Sequence, residues 1–322
     1  MPAEFLHSYI LDGDGGRRVL DANGVAEWTP EAGLLWVHID LNNESARNWL
    51  EEDSGLPATV VDSLLAAETR PRAHVGQSGS LVVLRGVNMN PGDDPEDMVA
   101  VRVWLEANRI ISARRRRLLS VQDVREELDE GVGPSTAGGF LIALISRLAD
   151  RIGDFVNTIE DHISDAEDRA ETGDDPSMRK TLSGLRRQIA AVRRFLAPQR
   201  DALDRLYRQP GKLLSDTESN DLREEADRMT RYLEDIDLAR ERLVVMQEEF
   251  LAVQAQEQNS RMYVLSVVAA VFLPLTFVTG LLGMNVGGLP GLESPNGFLA
   301  SIVVMVVAGA ALLTFFRWKR WL

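Results

Sequence analysis

Tyr263-Val-Leu-Ser-Val-Val-Ala-Ala-Val-Phe-Leu-Pro-Leu-Thr-Phe-Val-Thr-Gly-Leu-Leu282 is a stretch of 20 residues without a charge, and Phe298 to Phe316 is another of 19. An α-helix rises about 1.5 Å per residue, so about 20 residues cross the roughly 30 Å of a bilayer's hydrocarbon. The two runs predict membrane spans at 263–282 and 298–316, joined by the hairpin 283–297. Buried helices of a soluble core are the competing reading, and the flanking charges argue against it. Arg261 precedes the first run, Arg317, Lys319 and Arg320 follow the second, and the hairpin holds no Lys or Arg. Positive charge is retained on the cytoplasmic side of a membrane. Both termini are therefore expected in the cytoplasm, the hairpin outside, and Trp318 and Trp321 at the inner interface.

The rest of the chain is charged. Its 322 residues carry 49 acidic and 35 basic side chains, a net charge of -14. That balance repels nucleic acid and suits a surface that gathers cations. The absence of cysteine excludes disulfides and thiolate zinc sites. Met1 to Phe5 shows no basic-then-apolar signal segment, so the charged body is expected in the cytoplasm. The basic run Arg114–Arg117 and the pairs Arg186/Arg187 and Arg193/Arg194 are expected to pair with neighbouring Asp and Glu. No Ser/His/Asp set, phosphate loop or paired-carboxylate signature is present. Neither an enzyme nor a cofactor is expected.

The organisation reads as an α+β membrane protein in three parts. Residues 1–118 form a cytoplasmic α/β domain, with strands expected at Gly33–Leu41, Ser80–Val87, Met98–Leu105 and Arg109–Ser112. Asn43 is placed to cap a helix, and Val60–Ala67 reads as another. Residues 119–262 form a helical funnel and stalk. One helix is expected over Thr136–Glu171, broken by Gly173-Asp174-Asp175-Pro176, and a second over Met178–Leu206. A third starts near Asp216 or Thr217 and meets no Pro or Gly until Pro274, inside the first span. Its apolar positions, Leu222, Met229, Leu233, Ile236, Leu243 and Met246 among them, step by 3 or 4, as in a helix buried along one stripe. Residues 263–322 form the transmembrane domain.

At 100° per residue, Asn259, Met262, Ser266, Ala269, Leu273, Thr276, Gly280 and Gly283 share about a third of the helix circumference. The opposite face, with Val264, Val267, Val271 and Val278, is aliphatic. Small and hydroxyl-bearing residues along one face of a span mark either close helix contact or a water-filled path. A water-filled path requires several copies of the chain, because one such span encloses nothing. Asn285 follows Gly283 and Met284 at the outer end of that face. As one of a ring of amides it would hydrogen-bond the water shell of a cation; as a single residue it reads as a helix C-cap. Among the histidines, His38 reads as structural, and His7 and His74 have no partner near in sequence. His162 lies one turn from Asp165, a pair that could hold a cation or simply form a solvated acidic face.

Gly283-Met284-Asn285 after the first of two spans resembles the CorA metal-transporter superfamily, as do Pro274-Leu275-Thr276-Phe277 and Lys319-Arg320-Trp321-Leu322. Within it, Gly287-Gly288-Leu289-Pro290 resembles the ZntB zinc-transporter branch. So do Trp36–Leu41, Glu68-Thr69-Arg70-Pro71-Arg72 and Leu84-Arg85-Gly86-Val87-Asn88. The resemblance implies a homopentamer in the bacterial inner membrane. Five first spans would line a pore, with Asn259, Met262, Ser266, Leu273, Thr276, Gly280, Gly283, Met284 and Asn285 facing it. It implies transport of zinc, with other divalent cations as further cargo, through hydrated outer-shell contacts at Asn285. Proton-coupled uptake is the favoured mode and efflux the other. Two alternatives stay open: a magnesium, cobalt or nickel channel of the same architecture, and a membrane-anchored sensor or scaffold without a pore.

Overall fold

The structure is a computed structural model and describes residues 3–171, 177–284 and 295–319. Among the described residues seven strands form one mixed sheet. β1 (His7–Leu11), β2 (Arg17–Val19), β3 (Leu34–Asp40), β4 (Arg72–Val75), β5 (Ser80–Gly86), β6 (Val99–Leu105) and β7 (Arg109–Arg114) lie in the order β2-β1-β3-β7-β6-β5-β4. β3 and β7 run parallel with His38 opposite Ser112, and the other pairs are antiparallel. The helices are α1 (Ala22–Ala26), α2 (Glu44–Asn48), α3 (Ala58–Leu65), α4 (Leu119–Glu130), α5 (Ala137–Glu171), α6 (Met178–Arg208), α7 (Asp216–Leu282) and α8 (Gly297–Trp318). Met1–Met246 is one compact unit and Gln247–Leu322 a second.

β3 is covered on both faces, which is why its sequence is apolar on both faces, His38 apart, and not an alternation. On one side Val37 and Ile39 pack with Val60, Val61 and Leu64 of α3 and with Ala46 of α2. On the other the Trp36 ring meets Phe140 of α5 at 4.8 Å. Asn43 caps α2 as its sequence position predicts: its Oδ1 accepts from the backbone N–H groups of Ser45 (2.9 Å) and Ala46 (3.3 Å).

The expected strands and long helices are all present. The sequence reading missed β1, β2, β4 and α4, and with them the sheet order. β1 opens His7-Ser8-Tyr9 and β2 is Arg17-Arg18-Val19, polar pieces too short to show a period. The Arg114–Arg117 run is used internally. Arg116 pairs with Asp97 at 2.7 Å. Arg115 donates to the Leu65 carbonyl (2.8 Å) and the buried Arg102 to that of Ala66 (2.9 Å). Two guanidiniums thus meet the unpaired carbonyls at the C-terminus of α3, where the helix dipole is negative.

α7 starts in a capping box. Glu218 Oε2 accepts from the Ser215 backbone N–H (2.7 Å), and Ser215 Oγ accepts from that of Glu218 (3.3 Å). Its predicted stripe is buried from Leu222 to Met246, while Val253, about two turns of helix further on, is exposed. Arg228 of α7 bridges to Asp150 of α5 at 2.6 Å, Arg242 to Glu167, and Arg193 of α6 to Asp237. The break expected at Gly173–Pro176 lies outside the described residues.

Candidate ion-conduction face

The second unit contains the two helices that are long and apolar enough to cross a membrane, the last part of α7 and α8. On α7, partial cover within the chain falls on Val267, Ala270, Val271, Leu275 and Val278. At 100° per residue these positions centre almost opposite the face of Met262, Ser266, Leu273, Thr276 and Gly280. That second face is uncovered: Met262 is 59% and Leu273 69% exposed. The chain therefore partly covers one aliphatic stripe, and it leaves the small, hydroxyl-bearing side open together with Leu265, Phe272 and Phe277. On α8 the partly covered positions Ser301, Met305, Ala308, Gly309 and Leu312 likewise form one stripe.

Individual residues on the open face carry little internal duty. A side chain placed at Gly280 would meet open space. Ser266 Oγ donates to the Met262 carbonyl at 2.8 Å, and its lone pairs remain free to accept from water. Thr279 Oγ1 donates to the Thr276 carbonyl at 2.9 Å. Pro274 lies inside the helix, and without an N–H it leaves the Ala270 carbonyl without its usual donor. The helix closes with Gly283 N–H on the Thr279 carbonyl at 2.9 Å, and Met284 follows, 49% exposed. Asn285 and the hairpin through Pro290 lie outside the described residues.

Sequence reading stopped this face at Asn259. Stepping back by seven from Asn259 gives Ala252, Val245 and Leu238. Val245 and Leu238 are both more than half exposed. Stepping back from Met262 gives Ala255, Glu248 and Glu241. Glu248 and Glu241 interrupt the pattern there, so no apolar seven-residue repeat continues the face.

The remaining candidates are placed differently. His162 and Asp165 are both exposed on α5, and no group of three or more His, Asp or Glu is placed to hold a metal among the described residues. The β1–β3 pairing brings His7 over His38, a neighbour the sequence did not reveal, with ring centroids 5.7 Å apart. His38 Nδ1 and Ser112 Oγ lie 2.8 Å apart, and Trp36 Nε1 donates to the same hydroxyl at 2.8 Å. Burial, then the guanidiniums of Arg125, Arg114 and Arg17, lowers the His7 pKa to about 4. Burial drives that of His38 well below the usual imidazole range. The pair is a neutral structural element at neutral pH.

A family described as CorA-like Mg2+ transporter protein matches residues 31–320. The chain belongs to the CorA family. It is accordingly a divalent cation transporter and not an enzyme. It is similar to a divalent cation transporter, CmaX, of Pseudomonas aeruginosa, with 39% identity over 98% of this chain and 96% of that protein. It is also similar to a zinc transport protein, ZntB, of Pectobacterium carotovorum, with 33% identity over 98% of this chain and 96% of that protein. The solved structure of full-length CmaX superposes with a TM-score of 0.86 at 38% identity, covering 98% of each chain. The CorA-family architecture of an α/β domain, a long helix and two apolar helices is thus the architecture of this chain.

Proposed function

We propose that this CorA-family chain carries zinc across the bacterial cytoplasmic membrane through a homopentameric pore lined by α7. The observation that carries the reading is the open face of α7. From Asn259 to Met284 it carries no charge, sets Asn259, Ser266, Thr276 and Gly280 beside Met262 and Leu273, and is left uncovered by its own chain, while the aliphatic face is partly covered. Five copies with this face inward would enclose a lumen, with α8 outside. Arg261, Arg317, Lys319 and Arg320 put both termini in the cytoplasm.

Such a lumen offers neutral oxygens from Asn259, Ser266, Thr276 and Asn285 and no carboxylate, imidazole or thiolate. An ion passing it keeps its water and is selected through outer-shell hydrogen bonds, which bind weakly enough to release it. Weak binding along the path and an acidic cytoplasmic body that concentrates cations fit a transporter better than a tight metal store. The open face holds no titratable side chain, so proton coupling runs through groups elsewhere or through water. The His162–Asp165 pair supplies two ligands, fewer than a closed zinc site needs, and serves at most as a transient stop for a cation.

The zinc assignment rests on the ZntB relatives at 33% identity and on the Gly287-Gly288 hairpin. A magnesium, cobalt or nickel channel is favoured by one observation, the higher identity to the more broadly named CmaX. Metal uptake into phosphatidylcholine liposomes separates the two. We expect zinc flux well above protein-free leakage, lost with Asn285→Ala, and increased by an inward proton gradient. Zinc flux at the leakage level beside robust magnesium flux would overturn the zinc reading. Indifference to the gradient would leave a passive channel.

A further inference from the structure

The arginines of the cytoplasmic unit are largely matched inside it: Arg151 with Asp123, Arg147 with Glu127, Arg228 with Asp150 and Arg242 with Glu167. The cations at the cytoplasmic ends of the two apolar helices are not. Arg317 and Lys319 have no carboxylate within ion-pair distance among the described residues. Arg261, 80% exposed at its side chain, reaches only Glu257, at 3.5 Å across one helical turn. From residue 258 onward the sequence holds one acidic residue, Glu293, in the segment between the two apolar runs. A chain of net charge -14 thus ends its second apolar helix in two cations, Arg317 and Lys319, that have no acidic partner among the described residues.

Aromatic rings sit near these cations. Trp318 is 76% exposed, 6.4 Å from the Phe315 ring, and Lys319 Nζ lies 5.2 Å from the Trp318 ring. Tyr263 follows Arg261 by two residues and is 47% exposed. Amphipathic rings beside cations at the end of an apolar run match the boundary between hydrocarbon and headgroup. A guanidinium binds a phosphodiester through two parallel hydrogen bonds, and an ammonium adds a compact point charge.

We propose that Arg317 and Lys319, with Arg261 and the Trp318 ring, form a binding zone for the headgroup of an anionic phospholipid of the inner leaflet. The proposal rests on reading α7 and α8 as membrane spans, and it is independent of which metal crosses. The acidic cytoplasmic body would be repelled by an anionic membrane surface; a bound anionic lipid at this level neutralises the basic zone and seats the helices at a fixed depth.

The full chain in detergent micelles provides the test, with thermal unfolding followed as phosphatidylglycerol, phosphatidylcholine or inorganic phosphate is added. Phosphatidylglycerol is expected to raise Tm by several degrees more than phosphatidylcholine, and the difference should shrink with added salt. R317Q/K319Q is expected to weaken the phosphatidylglycerol effect on the order of tenfold, each cation contributing a several-fold share, whereas R317K/K319R keeps it. Equal shifts from both lipids, an unchanged response in R317Q/K319Q, or the same shift from inorganic phosphate would overturn the proposal. Native mass spectrometry of the unsubstituted protein from equimolar mixed micelles decides the matter without a variant. Enrichment of retained phosphatidylglycerol supports the zone, and parity with phosphatidylcholine refutes it. Metal flux in pure phosphatidylcholine vesicles is measured separately, so failure of the transport reading and failure of the lipid zone are distinguishable.

Discussion

Ser112 shows how much of the Met1–Met246 unit depends on single polar atoms. Its hydroxyl lies within hydrogen-bond distance of both Trp36 Nε1 and His38 Nδ1 in a layer closed to water. Ser112→Ala removes the shared partner and strands two buried polar groups, each costing about 1–3 kcal/mol. Thermal unfolding should fall by several degrees while metal flux per folded protein stays unchanged; an unaltered Tm would refute this role. His7, above the same group, gives a pH dependence. Its folded pKa of about 4 lies below the ordinary imidazole value near 6.5, so the unfolded chain takes up the proton first. Stability is therefore complete above about pH 6.5 and declines as pH falls towards 4, with His38 acting in the same direction. Urea unfolding at pH 7, 5.5 and 4.5 should show that decline, and His7→Asn should reduce its slope by about one proton. A slope unaffected by the substitution would show that other groups carry it.

The long elements were the most legible in the sequence. α7 was readable from Asp216 because a capping residue, a steady 3–4 step and the absence of Pro and Gly all agree over many turns. β3 was readable because burial on both faces makes it apolar on both, with His38 the buried exception. β1, β2 and β4 were not, because tertiary pairing and not local pattern makes them strands, and the His7–His38 contact was invisible with them. The face of α7 was read from its period alone, and the structure shows it exposed within one chain at Met262 and Leu273. The face makes a direct prediction. Gly280→Leu fills space that is open within one chain, so the fold of the subunit should be preserved and Tm should move by no more than a few degrees. With five copies converging, flux should drop at least tenfold. Unimpeded flux would remove Gly280 from the pore, and a collapsed oligomer would favour the competing reading of this face as a helix-packing surface.

At the scale of the molecule, one first span per chain encloses no lumen, so transport through α7 depends on assembly. Light scattering of the detergent-solubilised protein should give the mass of five chains; a monomer or dimer retaining flux would contradict the arrangement. The absence of cysteine from the sequence offers a test without background labelling. Single cysteines at Ser266, Leu273, Thr276 and Gly280, and at Val264, Val271 and Val278 as the opposite face, can be treated with a charged, water-soluble thiol reagent in metal-loaded liposomes. The account predicts rapid modification and loss of flux at the first four positions and neither at the three valines. Equal reactivity on both faces, or modification of the first four without loss of flux, would contradict the claim that this face lines the pore.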